Sequence, residues 1–276
     1  RRAGGGRAPA PRPLRKLSGA DRPWMGRYCQ PDGALYRCGC PLAGCGGGSA
    51  QRVGVVATWP SEEYAAARDA SKAAFAKATA GLANAEWIDV NRGSDAEVLA
   101  GVTRIARHFD LVVLGQRDTA ASNLLPDDFV NEVIVDSGRP VLVLPYAGDF
   151  PVIGKRPMIA WNDAREAARA LNDALPLLGA SEDCWVMSFA TRQEDAEACC
   201  NGVVKHLADH DVKAKAEVLV VQDFGIMDLL LNRVSDRSAD LLVMGAHGQI
   251  GFPFVSRGAG TRYILQHMTV PVLMSS

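Results

Sequence analysis

Short apolar runs alternate with longer segments of helical periodicity through most of this chain. In the C-terminal half, "MIAW" at 158–161 predicts a strand, and 164–178 predicts an amphipathic helix. Its apolar face is predicted to contain Ala167, Ala168, Leu171, Leu175 and Leu178. Further strands are predicted at 184–189, 216–221, 240–244 and 270–274, with helices near 193–210, 225–238 and 261–268. This alternation indicates right-handed crossovers and a mostly parallel sheet with helices on both faces.

The same pattern occurs twice along the chain. "DLVVLG" begins at Asp110 and "DLLVMG" at Asp240, while "RPVLVLP" and "VPVLMS" place Pro140 and Pro271 at a similar offset. We therefore predict two copies of one α/β unit, at 53–150 and 151–276. The first copy predicts strands at 53–58, 86–90, 110–115 and 139–145, and helices at 61–82, 95–109 and 127–137.

The first copy lacks the opening strand and helix that the repeat predicts at about 27–47. Residues 1–52 contain 11 Gly, 9 Arg, 6 Pro and 4 Cys, and no Val, Ile, Phe or Glu. Prolines and glycines oppose both element types, so we predict neither there. We interpret 1–52 as disordered or not a native part of the fold, as a shifted reading frame in GC-rich coding sequence would produce.

The four cysteines of this segment, Cys29, Cys38, Cys40 and Cys45, leave two other hypotheses open. A zinc site is one, although the spacing of Cys38 and Cys40 is tighter than the common knuckle. A disulfide framework is the other. It fits poorly with the cytoplasmic location that we expect for the protein, because disulfides are rare there.

The charge and hydropathy of the whole chain argue against two classes of partner. The formal net charge is -1, which gives no general attraction to nucleic acid or to an anionic membrane. No apolar run approaches the roughly 18 residues of a membrane span. We therefore expect a globular protein that binds neither.

Five glycines lie between the strand at 240–244 and the helix near 261–268, in "MGAHGQIGFPFVSRGAGT" (244–261). Glycine lets a backbone approach a phosphate closely, and several amides that point into one concavity bind an anion. The start of the following helix adds free N–H groups, and Thr261 could cap it or offer its hydroxyl to a phosphate. In parallel sheets, ligands bind at this carboxyl edge of the strands. The loop therefore predicts a phosphate site, with a plain structural loop as the alternative.

The second copy resembles the universal stress protein family, and 53–276 as a whole resembles a tandem two-domain member. The resemblance rests on "MIAWNDAREAARALNDALPLL", on the junction "GRPVLVLPYAGDF" with "GKRPMIAW", and on Gly245, Gly248 and Gly258 at the spacing of the family's nucleotide motif. It implies two tandem Rossmann-like units of the adenine nucleotide alpha hydrolase type, in three α/β/α layers. It also implies a stress-response regulator that binds ATP, with Mg²⁺ as a candidate companion ion, and that is not a dedicated enzyme.

The resemblance implies the binding residues as well. Gly245, Gly248, Gly258, Gly260 and Thr261 would hold the phosphates, with Met244, His247 and Ala259 in the same motif. Ala160, Asn162 and Asp163 would face the adenosine, and the main chain of the second strand would contact the adenine. Three positions depart from the family: Ala259 stands where Ser or Thr is usual, Asn162 stands where an acid is usual, and Asp163 stands where Gly is expected.

Other hypotheses concern partners and cysteines. The last strand, 270–274, is expected to pair two copies or two chains, giving an internal pseudo-dimer or a homodimer. The alternative function is a dimerisation scaffold of the same fold that binds no nucleotide. Cys199 and Cys200 should face different ways on their helix, as small core residues or as a redox sensor.

Overall fold

The computed structural model describes residues 36–37, 52–57, 62–82, 84–90, 94–118, 126–190, 193–221, 225–248 and 258–276. Within these ranges the strands are β1 (Tyr36–Arg37), β2 (Arg52–Ala57), β3 (Ala85–Val90), β4 (Val112–Gly115), β5 (Val141–Leu144), β6 (Pro157–Trp161), β7 (Cys184–Ala190), β8 (Ala214–Val220), β9 (Leu241–Gly245) and β10 (Val272–Ser275). The helices are α1 (Glu62–Ala78), α2 (Asp95–Ala106), α3 (Phe129–Asp136), α4 (Arg165–Leu178), α5 (Gln193–Asp209), α6 (Ile226–Asp236) and α7 (Ala259–His267).

The second copy forms five parallel strands in the order β10-β9-β6-β7-β8. Its first strand, β6, lies between β9 and β7, so the chain winds outward from the middle in both directions. The point at which the direction of winding reverses lies between β6 and β9. In sheets of this kind, ligands bind beyond the carboxyl ends of the strands at that point.

Helices cover both faces of this sheet. Because side chains alternate along a strand, Leu242 and Met244 belong to a core cluster with residues of α2, α3, α6 and α7, while Leu241 and Val243 belong to one with residues of α4 and α5. All four strand side chains are buried. The predicted α/β fold class, with three α/β/α layers, is therefore confirmed. No helix within the described ranges is long and apolar enough to cross a membrane.

The last strands of the two copies are neighbours. β10 pairs antiparallel with β5, with Val272 opposite Val143 and Met274 opposite Val141. The sheet therefore continues from the second copy into β5 and β4, which are parallel to each other. The expected pairing through the last strand is thus made within one chain.

The first copy differs from the second where its opening strand is expected. In the second copy, β9 has the parallel strand β6 beside it. In the first copy, the equivalent strand β4 has β5 on one side and, on the side where an opening strand is expected, only the two-residue antiparallel β1; β2 and β3 form a separate parallel pair. The prediction of no element in this segment is therefore wrong for 36–37. The cysteine hypotheses for Cys29, Cys38, Cys40 and Cys45 lie outside the described residues.

Asp240, which begins the repeated "DLLVMG", fixes the connection between the copies. Its carboxylate accepts hydrogen bonds from three consecutive backbone amides, those of Gly154, Lys155 and Arg156, at 2.9–3.0 Å. These residues lead directly into β6. The side chain thus sets where the first strand of the second copy begins, relative to β9.

Helix α4 differs slightly from the predicted amphipathic pattern. Its buried face consists of Glu166, Ala167, Ala170, Leu171, Ala174, Leu177 and Leu178. Ala168 and Leu175, which we predicted on this face, are only partly buried. The helix is rotated so that small alanines meet the sheet, and this brings its first turn close to the end of β9.

Candidate functional site

A cavity of about 370 Å³ opens at the carboxyl ends of β6, β7 and β9, where the strand order reverses. Its volume lies within the range of about 300–1,000 Å³ that is typical of ligand pockets. The walls come from the ends of the three strands, the inner faces of α5 and α6, and the start of α7.

The structure brings ten of the eleven predicted site residues to this cavity: Ala160, Asn162, Asp163, Met244, Gly245, His247, Gly248, Gly258, Gly260 and Thr261. Ala259 is the exception, because it is the first residue of α7 and does not line the cavity. The middle of the glycine motif, 249–257, lies outside the described residues. Residues that are up to 101 positions apart in the chain, Ala160 and Thr261, therefore meet at one place.

Gly245 ends β9 directly against the first turn of α4. A Cβ on this residue would lie 2.6 Å from the backbone nitrogen of Ala167 and 2.7 Å from the carbonyl carbon of Glu166. Backbone atoms cannot rotate away as a side chain can. Glycine at this position therefore allows α4 to approach the sheet beside the cavity.

Gly258 is the N-cap of α7 and adopts a left-handed backbone with φ of 81°. A Cβ there would lie 2.8 Å from Nδ1 of His247, so the imidazole packs directly on the glycine. The contact between Gly258 and the ring of His247 thus brings together the two described ends of the motif. Gly258 has no side chain with which to cap α7, so the amides of its first turn depend on other acceptors.

Thr261 and His247 form a second link across the motif. The backbone N–H of His247 donates to Oγ1 of Thr261 at 2.9 Å, and Thr261 is buried. Its hydroxyl therefore accepts from the loop rather than from the amides of its own helix. The imidazole Nε2 lies 2.8 Å from Oδ1 of Asn131, a residue of α3 in the first copy.

Asn162 and Asp163 form the turn between β6 and α4. Oδ1 of Asn162 accepts the N–H of Ala164 at 3.3 Å, as an Asx turn does, and Ala164 is the N-cap of α4. Asp163 has a left-handed backbone, with φ of 58°. The resemblance expects glycine at this position, and the backbone conformation is the physical reason, because glycine adopts it without cost.

Sequence analysis missed the apolar wall of the cavity. It is formed by Trp161, Phe189, Ala190, Ala196, Cys199, Ile226, Met227 and Leu230, with the hydroxyl of Ser188 among them. The main chain at the end of β7 was expected here, because the resemblance implies that the second strand of this copy contacts the adenine, but none of its side chains was named. The residues of α5 and α6 could not be inferred, because only the packing of these helices decides which turns face the cavity.

The thiol of Cys199 lies in this wall and is held by two polar groups. Nε1 of Trp161 donates to its sulfur at 3.1 Å, and the side chain of Asp163 is a further hydrogen-bond partner. Burial raises the pKa of the thiol above its ordinary value, and Asp163 adds to this effect. The next residue, Cys200, packs into the core on the other side, and burial raises its pKa to about 11. Both sulfurs are therefore protonated at neutral pH.

Glu166 is a buried carboxylate close to the loop that sequence analysis did not single out. Its Oε1 accepts from Nε of the exposed Arg165 at 2.8 Å. Its Oε2 lies 3.5 Å from the point where a Cβ on Gly248 would stand. Glu166 itself does not line the cavity. Among the described residues, no three His, Cys, Asp or Glu side chains come together as a metal site.

The fold and the position of the cavity define a doubly wound α/β protein with a ligand pocket at its switch point. This is the fold of universal stress proteins. The structure matches that of a universal stress protein from Archaeoglobus fulgidus DSM 4304 with a TM-score of 0.59 and 13% identity, over 82% of this chain and 88% of that chain. The resemblance that the sequence indicated is thus confirmed at the level of the fold.

A second solved structure is similar over the same share of the chain. It is that of a functionally unknown protein from Pseudomonas aeruginosa PAO1, with a TM-score of 0.54 and 15% identity, covering 82% of each chain. Neither a family model nor a curated protein matches the sequence. At these identities the likeness describes the fold, and the function has to be argued from the cavity.

Proposed function

We propose that the second copy binds one adenine nucleotide, ATP, in the cavity between β6 and β9, and that the protein is a cytoplasmic stress-response regulator rather than an enzyme. The observation that carries the proposal is the convergence of ten of the eleven motif-derived residues on a single cavity. The proposal covers the second copy only, because in the first copy "LGQRDTAASN" (114–123) keeps Gly115 but has no further glycine.

The phosphates fit the part of the cavity between the end of β9 and the start of α7. Gly245 and Gly248 bring bare backbone to one side of it, and the first turn of α7 brings N–H groups to the other. A helix N-terminus carries a partial positive charge, which favours an anion. Ala259 supplies an amide at this turn but no hydroxyl, so the backbone has to supply most of the hydrogen bonds.

The base and ribose fit the apolar part. Phe189, Met227 and Ile226 offer flat apolar contacts for a purine, and the ends of β6 and β7 offer backbone polar groups. Asn162 and Asp163 stand beside the expected position of the ribose. Asn162 uses Oδ1 to hold the turn, so its Nδ2 is the group that would reach a ribose hydroxyl.

Magnesium would enter with the nucleotide. Mg²⁺ usually keeps several waters and is bound by substrate phosphates with one or two carboxylates, rather than by a cage of protein ligands. The lack of a three-residue metal cluster among the described side chains is compatible with that mode of binding. We assign no resident metal to the protein.

A scaffold that works only by dimerisation is the second candidate. The departures at Asn162 and Ala259 favour it, because Asn162 replaces a carboxylate and Ala259 replaces a hydroxyl that the resembling proteins use. The antiparallel pairing of β10 with β5 weighs against it, since the strand expected to join two chains already has its neighbour within this one.

Thermal shift with Mg-ATP separates these candidates, using the full chain. We expect a rise in Tm at millimolar ATP for the wild type. Gly258→Ala should abolish the rise, because its Cβ would displace the His247 ring from the loop. The matched control is Gly138→Ala, which has a similar left-handed backbone, with φ of 62°, but nothing within 4 Å of the added carbon. A wild type that shows no shift, or a shift that Gly258→Ala retains in full, would contradict the proposal.

A further inference from the structure

The glycine loop of the second copy is held by a residue of the first copy. Asn131 lies in α3, is 9% exposed, and has its Oδ1 2.8 Å from Nε2 of His247. An amide oxygen can only accept, so Nε2 must carry the proton in this contact. The hydrogen bond therefore fixes both the plane of the imidazole and its tautomer.

His247 needs such support because of its backbone. Its φ of 58° lies in the left-handed region, which a residue with a Cβ adopts at a cost. Within the second copy, its N–H donates to the buried Thr261 hydroxyl, and its ring packs on Gly258. The hydrogen bond to Asn131 is a third restraint, and it comes from outside the second copy. Strained residues persist where their surroundings over-determine them.

We propose that Asn131 is a positioning residue for the nucleotide loop: the first copy orients His247, and His247 sets the conformation of the loop between Gly245 and Gly248. This inference rests on the proposed function for its consequence, since a correctly held loop presents its amides to the phosphates. Asn131 itself does not line the cavity, so it acts through the histidine.

A second contact from the first copy supports the same helix. Gln116 follows β4, is almost fully buried, and donates from Nε2 to the carbonyls of Leu265 and Gln266 at 2.9 and 3.3 Å. Its Oε1 accepts the N–H of Tyr146 at 3.2 Å. The first copy therefore contacts α7 near its C-terminus through Gln116, and the loop before its N-terminus through Asn131. The first copy, which lacks the later glycines of the motif, thus braces the phosphate side of the second copy.

The repeat explains how the contact arises. Asn131 stands at the position of the first copy that corresponds to Thr261 in the second, by the offset that relates Asp110 to Asp240. The antiparallel pairing of β5 with β10 brings α3 beside the loop of the other copy. Two residues at equivalent positions of the repeat therefore contact His247. Thr261 does so through its hydroxyl, from within the second copy, and Asn131 does so through its carboxamide, from the first copy.

A double-mutant cycle on ATP affinity tests the positioning role in the full chain. Asn131→Leu keeps the branched shape and the number of heavy atoms and removes the acceptor, and we expect Kd to rise about two- to tenfold, the usual worth of one neutral hydrogen bond. In a His247→Ala background, the same substitution should cause no further loss. Ser137→Ala, at the buried C-cap of α3, is the control that perturbs this helix without touching the loop. Equal losses from Asn131→Leu in both backgrounds, or no loss in either, would overturn the proposal.

A second readout does not depend on ATP. Histidine labelled with ¹⁵N reports its tautomer by NMR, and the His247 signal is assigned by its loss in His247→Ala. We expect an Nε2–H ring in the wild type, in Ser137→Ala and in Asn131→Asp, which keeps an acceptor, and a mixture of tautomers in Asn131→Leu. If the wild type bound no ATP, the proposed function would fail, and this ring signal would still decide the role of Asn131. An unchanged signal in Asn131→Leu would refute that role.

Discussion

Replacing Gly245 by alanine tests the close contact between β9 and α4 beside the cavity. The added Cβ would lie 2.6 Å from the backbone nitrogen of Ala167, about 0.8 Å short of the 3.4 Å at which ordinary contact begins. The neighbouring atoms are backbone, and α4 is anchored by fully buried Ala170 and Ala174. The helix therefore has to move as a whole, or the end of β9 has to bend.

Overpacking of this kind costs about 1–3 kcal/mol. For a chain of this size, each kcal/mol lowers Tm by roughly 2–4 °C, so we expect a fall of about 2–12 °C. The measurement is thermal unfolding followed by far-UV circular dichroism, without ligand, at pH 7. Affinity for ATP should fall as well, because the same residue shapes the edge of the cavity.

Gly202→Ala is the matched control for this experiment. Gly202 lies in α5, is exposed, and has nothing within 4 Å of an added Cβ. Alanine there removes the entropic cost of a mid-helix glycine, about 0.5–1 kcal/mol, so Tm should rise. The same substitution is thus predicted to have opposite signs at the two positions. A Gly245→Ala protein that unfolds at or above the wild-type temperature, while Gly202→Ala behaves as expected, would refute the close-contact reasoning.

Three further predictions concern the linker, a helix cap and a thiol. Asp240→Ala should lower the free energy of unfolding by about 1.5–3 kcal/mol, because the amides of 154–156 lose a charged acceptor. Urea titration measures this, and an unchanged midpoint would show that these three hydrogen bonds do not stabilise the fold. Ser94→Ala should lower Tm at pH 7. Hydrogen bonds from Ser94 hold the pKa of Glu97 below its usual 4.5, so the stabilisation that the Ser94–Glu97 pair gives is present above pH 4.5 and is lost as pH falls through the lowered pKa. The Tm difference should therefore shrink in acid, and a difference that grows there would contradict the assignment. Iodoacetamide should alkylate Cys199 more slowly than a free thiol at pH 7.5, since burial raises the pKa of Cys199, and bound ATP should slow the reaction further. Mass spectrometry of the Cys199 peptide measures these rates. A rate equal to that of a free thiol would contradict the first expectation, and a rate that ATP does not change would contradict the second.

The order of elements in the second copy was predictable because two periodicities alternate cleanly there. Strand β6 and helix α4 were predicted at 158–161 and 164–178, and they lie at Pro157–Trp161 and Arg165–Leu178. Boundaries shifted by one or two residues, as they did at β8 and α7, because the final hydrogen bonds depend on neighbours that a periodicity does not contain. The offset of about 130 residues relates β4 and β5 to β9 and β10, but the first copy departs from the repeat, because β2 and β3 form a separate pair.

The binding loop was predictable for a different reason. The spacing of the glycines indicates where the backbone approaches a ligand or another part of the protein closely. The end of the preceding parallel strand indicates at which edge of the sheet this close approach occurs. Gly245 and Gly258 show that the first close neighbours are protein atoms, namely the start of α4 and the ring of His247. Glycines that suggest a phosphate cradle therefore also serve the packing of the cradle itself.

The remaining features depend on tertiary placement. Nothing in the local pattern of α3 distinguishes Asn131 from a surface residue, yet the antiparallel β5–β10 junction buries it against His247. The turns of α6 that contribute Met227 and Leu230 to the cavity follow from how that helix crosses the sheet. The extent of 1–52 as a separate segment, and the boundary between the copies near residue 150, stay predictions.

Photoaffinity labelling with 8-azido-ATP tests the central claim most directly, because it reports where the purine lies in the full chain. We predict that the label appears on peptides from the end of β7 or from α6, and that excess ATP competes it away. Asn162 and the glycine loop would then face the sugar and the phosphates from the other side of the cavity. Label confined to the first copy, at 62–118, or label in the second copy that ATP does not reduce, would contradict the account.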